Sequence, residues 1–291
     1  MPELPDLAIV ADAFHAALAG RSITSTRALA PLAVRGTPAE LEALVGQQLR
    51  SIRRRGKLLL VELDRDRIVV NPMLTGRFQL AAPSAALPTK TALVVGFGSR
   101  ARGPRDAARW TARAPWLPAP GASVEVRYRD PTQMGKVYLV PADVPRVVPG
   151  LTDEELGPDA DDPGLTLEVW RTRIRRHPGE LKNMLKNQSF VAGIGNAYSD
   201  EILHAAGLLP FRKRTTLASE EVDALYAATR ATLEHAIDVL RDRVPPTFEK
   251  QARDWLAVHD KGGQPCPRCG TRISEVKPGG FVTSFCRGCQ H

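Results

Sequence analysis

Val191-Ala192-Gly193-Ile194-Gly195-Asn196-Ala197-Tyr198-Ser199-Asp200-Glu201 is the stretch on which the fold of this chain turns. Glycine has no Cβ, so Gly193 and Gly195 let the backbone approach another group closely. The helix opening at Asn196 offers unpaired N–H groups and the positive end of its dipole to an anion such as a phosphate. Taken locally, the same residues also describe an ordinary connection between two helices. Their neighbours decide between the two readings.

Outward from this turn, Leu165 to about Val258 reads as largely helical. Glu220 to Arg241 keeps a 3.6-residue periodicity through Val222, Leu225, Ala228, Leu233, Ile237 and Leu240. Pro245-Pro246 ends that helix, and Pro245 to His259 (PPTFEKQARDWLAVH) reads as helical again. Residues 1–140 read differently: one opening helix, Asp6 to Leu18 with Gly20 beyond it, and then strands. Leu58–Leu63, Ile68–Val70 and Ala92–Val95 are short apolar runs broken by charge or glycine, and Ser123–Tyr128 alternates with its valines on one side. Residues 141–164 are rich in Pro, Gly and Asp and read as a linker. The expected architecture is α+β: an N-terminal β-sandwich domain (1–140), the linker (141–164), a helical domain (165–260) and a C-terminal hairpin (261–291).

That hairpin carries all four cysteines, as Cys266-Pro267-Arg268-Cys269 and Cys286-Arg287-Gly288-Cys289. Each CxxC supplies two thiolates from one tight turn, and two such pairs make a tetrahedral site for one structural zinc ion. So small a ribbon depends on its metal to fold. Paired cysteines of this kind fit a reducing cytoplasm rather than a disulfide framework. The chain has 291 residues and a formal net charge of +8, from 40 basic and 32 acidic side chains, which favours a polyanionic partner. It has no 18-residue apolar run to span a membrane and no basic segment followed by an apolar core to act as a signal peptide.

The opening Pro2-Glu3-Leu4-Pro5, Lys57 after Arg53-Arg54-Arg55-Gly56, the glycine turn and the two CxxC pairs, in this order, resemble the formamidopyrimidine-DNA glycosylase/endonuclease VIII family. Met1 before the small Pro2 is normally trimmed, which frees a secondary amine. An α-amino group has a pKa of about 7.7–8, so a useful fraction is neutral and nucleophilic. The resemblance implies a bifunctional glycosylase and AP lyase in base excision repair. Pro2 would be the nucleophile, Glu3 a proton donor or relay, and Lys57 a contact to phosphate and sugar from a β-hairpin. Gly193-Ile194-Gly195-Asn196 would be the turn of a helix–two-turn–helix motif, with Asn196 on phosphate and with Gln188, Tyr198, Asp200 and Glu201 in the family's pattern. The implied partner is damaged double-stranded DNA, held between the domains by a monomer in a bacterial-type, nucleoid-associated cytoplasmic setting.

Several positions depart from the family. Its PELPEVE opening becomes PELPDLA, so Asp6 keeps a carboxylate and Ala8 loses one. Where guanine-excising members fill the vacated stack with Met, Arg and Phe, this chain has Leu74, Gln133 and Met134. The zinc hairpin has Phe281 in place of a phosphate-gripping arginine, which leaves Lys277, Arg272 or another segment to supply the charge. The base-capping loop has no evident counterpart. Gly98 to Gly121 looks added and interleaves Arg100, Arg102, Arg105, Arg109 and Arg113 with Trp110 and Trp116, a composition suited to nucleic acid. Two other readings stand beside the enzyme: a family member that binds lesions or abasic sites without excising, and a zinc-ribbon RNA-binding protein. The latter leaves the proline terminus unexplained.

Overall fold

The computed structural model describes residues 1–100, 114–152, 154 and 156–291. The chain forms two compact units. One comprises Met1–Pro2, Asp6–Leu151 and Leu240–Gln251, and the other Glu3–Pro5, Thr152–Val239 and Ala252–His291.

In the first unit, helix α1 (Leu4–Leu18) leads into strands β1 (Arg21–Ala28) and β2 (Val34–Arg35), helix α2 (Pro38–Glu42) and strands β3 (Leu49–Arg55), β4 (Leu58–Leu63), β5 (Arg67–Asn71), β6 (Arg77–Ala81), β7 (Thr91–Arg100), β8 (Val124–Arg129) and β9 (Lys136–Val140). Gly20 takes φ +80 just past α1, a left-handed position that glycine fills without steric cost. The strands form a four-stranded sheet in the order β1-β7-β8-β6 and a five-stranded sheet in the order β2-β9-β5-β4-β3. Phe14 and Leu18 of α1, Leu59 and Val61 of β4, Val95 and Phe97 of β7 and Tyr128 of β8 line one apolar interior with a residual cavity of about 40 Å³. The expected sandwich is therefore present. Leu58 and Leu60, on the opposite face of β4, pack with Val69 and Val148. Burial on both faces explains why Leu58–Val61 of β4 read as a continuous apolar run rather than an alternating one.

The second unit holds α3 (Leu167–Ile174), α4 (Leu181–Lys186), α5 (Asn196–Ala206), most of α6 (Ser219–Arg243) and the hairpin β10 (Ser274–Val276)–β11 (Thr283–Phe285). Its core gathers Trp170, Leu185, Phe190, Val191, Ile194, Tyr198, Leu225 and Leu233. Fully burying each such side chain contributes about 1.5–3 kcal/mol. Acidic Glu220 and Glu221 open α6, and basic Arg241 and Arg243 close it, which complements the helix dipole.

One expectation changes. Residues 245–259 are not helical. Pro245-Pro246 stops α6, and the N–H groups of Ala257, Val258 and His259 donate to the Glu201 carboxylate at 2.8–2.9 Å instead of to a preceding turn. Within residues 141–164, the stretch 157–160 is bonded to residues 188 and 192 of the same unit. Gly157 N donates to Gln188 O (2.8 Å), Ala192 N to Pro158 O (2.8 Å) and Ala160 N to Ala192 O (3.0 Å).

Candidate active site and zinc centre

The glycine turn is shaped by the N-terminus of the chain. Leu4 N donates to Gly193 O at 2.9 Å. The Glu3 carboxylate, 2% exposed, accepts from Gly195 N (2.6 Å), Ala197 N (2.9 Å) and Tyr198 N (3.3 Å), and so fills the unpaired donors that open α5. A Cβ at Gly195 would stand 2.5–2.8 Å from the Glu3 side chain, and one at Gly193, where φ is +102, would stand 2.8 Å from Leu4. The close approach that the sequence assigned to phosphates is here made by residues 3 and 4. Gln188 braces the turn: its Nε2 donates to Lys186 O and Ile194 O, and its Oε1 accepts from Gly193 N at 2.9 Å. Asn196 is half-buried. Its Nδ2 donates to Val282 O at 2.7 Å, whereas its Oδ1 has no partner among the described residues.

Pro2 is buried in the first unit, with Met1 attached and 40% exposed. Around it lie Asp6, Arg77, Phe248, Lys250 and Gln251. Gln251 ties this group together: its Oε1 accepts from Arg77 Nη2 (2.8 Å), and its Nε2 donates to Met1 O (3.2 Å) and Asp6 Oδ2 (3.5 Å). Neither Arg77 nor Gln251 is distinguishable in the sequence, because 174 residues separate them. Lys57 occupies the turn between β3 and β4 beside Gly56, whose φ of +56 makes that turn tight. Arg54 Nη1 donates to Gly56 O at 3.1 Å across it.

Leu74, Gln133 and Met134 lie on two loops of the first unit that the fold fastens together. Thr75 Oγ1 bonds Asp130 Oδ1 and lies 2.6 Å from Thr132 Oγ1, and Gly135 N donates to Asp130 Oδ2 at 2.7 Å. Leu74 and Met134 stay 41% and 45% exposed at the loop tips, unusual for large apolar side chains. Gln133 takes φ +56, and Lys136 Nζ supports the bend by donating to the carbonyls of residues 133, 134 and 135 at 2.9–3.2 Å. Beneath the loops, burial and the Asp130 charge push the Tyr128 phenol well above its ordinary range. Of the added segment, Arg102, Arg105, Arg109, Trp110 and Arg113 lie outside the described residues, and Trp116 packs edge-on against Phe248 at 5.9 Å.

In the second unit the Sγ atoms of Cys266, Cys269, Cys286 and Cys289 all lie within 4.8 Å of one another. The Cys266–Cys289 and Cys269–Cys286 separations are 3.8 and 3.4 Å. A tetrahedron with zinc–sulfur bonds of about 2.3 Å has edges of about 3.8 Å, so the cluster fits one zinc ion. Around the hairpin is a buried polar network that sequence reading missed. Lys182 Nζ donates to Asp200 Oδ1 (2.7 Å), Val282 O (2.8 Å) and Thr283 Oγ1 (2.9 Å), and Asp200 Oδ2 accepts from His259 Nδ1 (2.8 Å) and Ser284 N (3.1 Å). Burial holds the Lys182 ammonium below its ordinary value, with Asp200 opposing. Phe281 is 57% exposed with Lys186 Nζ 5.1 Å from its ring centroid, so the charge beside Phe281 comes from α4. Lys277 instead lies 4.0 Å from Glu275.

A β-sandwich unit that carries Pro2 behind Met1, a helical unit with a two-glycine turn and a four-cysteine hairpin able to hold zinc match, part for part, the DNA-repair glycosylase family that the sequence resembles. Family models agree: residues 1–137 match the formamidopyrimidine-DNA glycosylase N-terminal domain, 156–244 its H2TH domain, and 263–291 the zinc finger found in FPG and IleRS. The formamidopyrimidine-DNA glycosylase of Exiguobacterium sibiricum is 31% identical over the whole chain and 99% of its own length, and that of Pelotomaculum thermopropionicum is 29% identical with the same coverage. A Lactococcus lactis Fpg complex with abasic-site DNA superposes with TM-score 0.82 at 26% identity, covering 99% of each chain. The chain belongs to the formamidopyrimidine-DNA glycosylase family.

Proposed function

We propose that this protein is a DNA glycosylase of base excision repair that removes a damaged base from double-stranded DNA and then cuts the strand by elimination. With Met1 removed, the Pro2 nitrogen attacks C1′ of the damaged nucleotide and the C1′–N bond breaks, so the base leaves with a proton. The C1′–O4′ bond of the resulting aminal then opens as O4′ takes a proton, which leaves an iminium ion; that cation acidifies C2′–H, loss of this proton expels the 3′ phosphate, and water hydrolyses the iminium to regenerate the amine. Glu3 serves this chemistry first as an anchor, since three backbone N–H groups donate to its carboxylate and fix the residue that carries Pro2, and second as a proton relay. Lys57 supplies charge to phosphate from its hairpin turn, and Asn196 contacts phosphate from a turn whose glycines, Gly193 and Gly195, make room for Leu4 and Glu3. Leu74, Gln133 and Met134 are the side chains that enter the stack vacated by the flipped nucleotide. Zinc is structural, because cysteines fill all four of its ligand positions. The protein acts as a monomer in the bacterial cytoplasm, and no helix among the described residues is long and apolar enough to cross a membrane.

The observation that carries the mechanism is the clamped N-terminus: Leu4 N on Gly193 O and Glu3 on the first turn of α5 hold the chain's first residues in one position. Borohydride reduction of the reaction with abasic-site DNA should trap the processed protein covalently. Pro2→Gly, or a retained Met1, should abolish or greatly weaken the trapped band. An undiminished band with Pro2 blocked would remove this mechanism, and no band from the processed protein would favour a non-excising lesion binder.

A further inference from the structure

The metal-ligand cluster of the hairpin is made of cysteines alone, yet a fifth side chain reaches them from α5. His204, 5% exposed, places Nε2 3.3 Å from Cys266 Sγ and 3.6 Å from Cys289 Sγ. Both distances suit an N–H shared between two sulfurs, which are larger acceptors than oxygen. The cluster is already complete without it, since the four thiolates supply every corner of a tetrahedron. A tetrathiolate zinc centre carries a net charge of −2, and donors aimed at sulfur relieve that excess.

The same imidazole has a second face. A cavity of about 310 Å³ lies beside the hairpin, walled by His204, His235, Trp255 and Arg268 among others. His204 belongs to its lining and none of the four cysteines does. The ring therefore stands between an accessible cavity and the Cys266–Cys289 pair.

We propose that His204 is a positioning residue of the zinc centre: its Nε2–H holds the Cys266 and Cys289 thiolates, and its ring shields them from the adjoining cavity. The proposal needs the zinc site but not the glycosylase chemistry, so its outcome is independent of the Pro2 test. His204 also lies about two turns along the helix that begins at Asn196, so it joins the metal centre directly to the element bearing the two-glycine turn.

The test separates the two functions of the ring. His204→Phe keeps the plug and removes the donor, His204→Gln keeps a donor with less bulk, and both are compared as full-length zinc-loaded protein. Zinc transfer to an excess of a chromogenic chelator is followed by absorbance, and the cobalt-substituted proteins are compared by their thiolate charge-transfer bands. Loss of an outer-shell partner lowers metal affinity about 10- to 100-fold. His204→Phe is therefore expected to release zinc at least about tenfold faster and to shift the cobalt band, with His204→Gln between it and the parent. If His204→Phe fails to fold, as judged by circular dichroism, His204→Gln against the parent decides. Release rates and cobalt bands unchanged in the folded variants would overturn the proposal. So would a parent cobalt spectrum with the intensity of three thiolates, which would make His204 a ligand.

Discussion

Asp200→Ala tests the buried network around the hairpin most sharply. Asp200 is 1% exposed, and Lys182, its ion-pair partner at 2.7 Å, is 4% exposed. Removing the carboxylate leaves the ammonium with only Val282 O and Thr283 Oγ1, and strips His259 Nδ1 and Ser284 N of their acceptor. Breaking a buried pair by deleting one partner costs about 3–5 kcal/mol, because an uncompensated charge stays behind. For domains of this size that lowers Tm by about 10 °C or more. Calorimetry of the zinc-loaded protein reads the effect on the second unit's transition; a single two-state treatment of the whole chain does not apply to a protein of two units. The loss should depend on pH with a definite sign. Burial already depresses Lys182 below the ordinary 10.5, and without Asp200 it falls further. Between that lowered folded value and 10.5 the unfolded chain binds a proton that the folded variant has released. The variant therefore gains stability as pH rises through this window and is weakest below it. Adding Lys182→Met should recover part of the loss, since the stranded charge is then gone. A loss below about 1 kcal/mol for Asp200→Ala, or no recovery in the double variant, would refute the reasoning.

Gly195→Ala should disable the protein although its backbone is not left-handed: the new Cβ meets the Glu3 carboxylate at 2.5–2.8 Å, and overpacking of this kind costs about 1–3 kcal/mol. Gly179→Ala, which meets nothing within 4 Å, is the control, and equal Tm values for the two would show that the clamp has slack. Cys286→Ser should release about one zinc ion per chain by metal analysis and lower DNA affinity, with the β-sandwich still folded. Zinc retained at full stoichiometry would displace Cys286 from the ligand set. Because Gln133 replaces an arginine and its amide can present donor or acceptor, excision measured across the four opposite bases should vary less than about tenfold. Strong preference for opposite cytosine, together with robust 8-oxoguanine excision, would show that the exposed Gln133 loop has been assigned the wrong role.

Much of this protein was legible in its sequence because the relevant physics is local. Two CxxC pairs announce a tetrathiolate site wherever they fold, since each pair already has its ligands on one turn. The periodicity of α6, the proline stop after it and the strand runs of the sandwich likewise depend on neighbours a few residues apart. Gly193 and Gly195 were legible as places of close approach, but not for what approaches. Only the tertiary structure puts Leu4 and Glu3 there, about 190 residues away in the chain. The same limit accounts for the helix wrongly expected over 245–259. Its apolar and charged spacing suits a helix, yet Glu201 takes three of its backbone donors from a distant element, and no local pattern encodes a competing acceptor. His204 and Lys182 were silent for the reverse reason. Each is an unremarkable residue on its own helix, and the fold alone brings one to the zinc thiolates and buries the other against Asp200. Local sequence fixes what each segment can form; which buried polar group meets which partner is decided only when the core closes, because an unpaired one costs about as much as several favourable contacts supply.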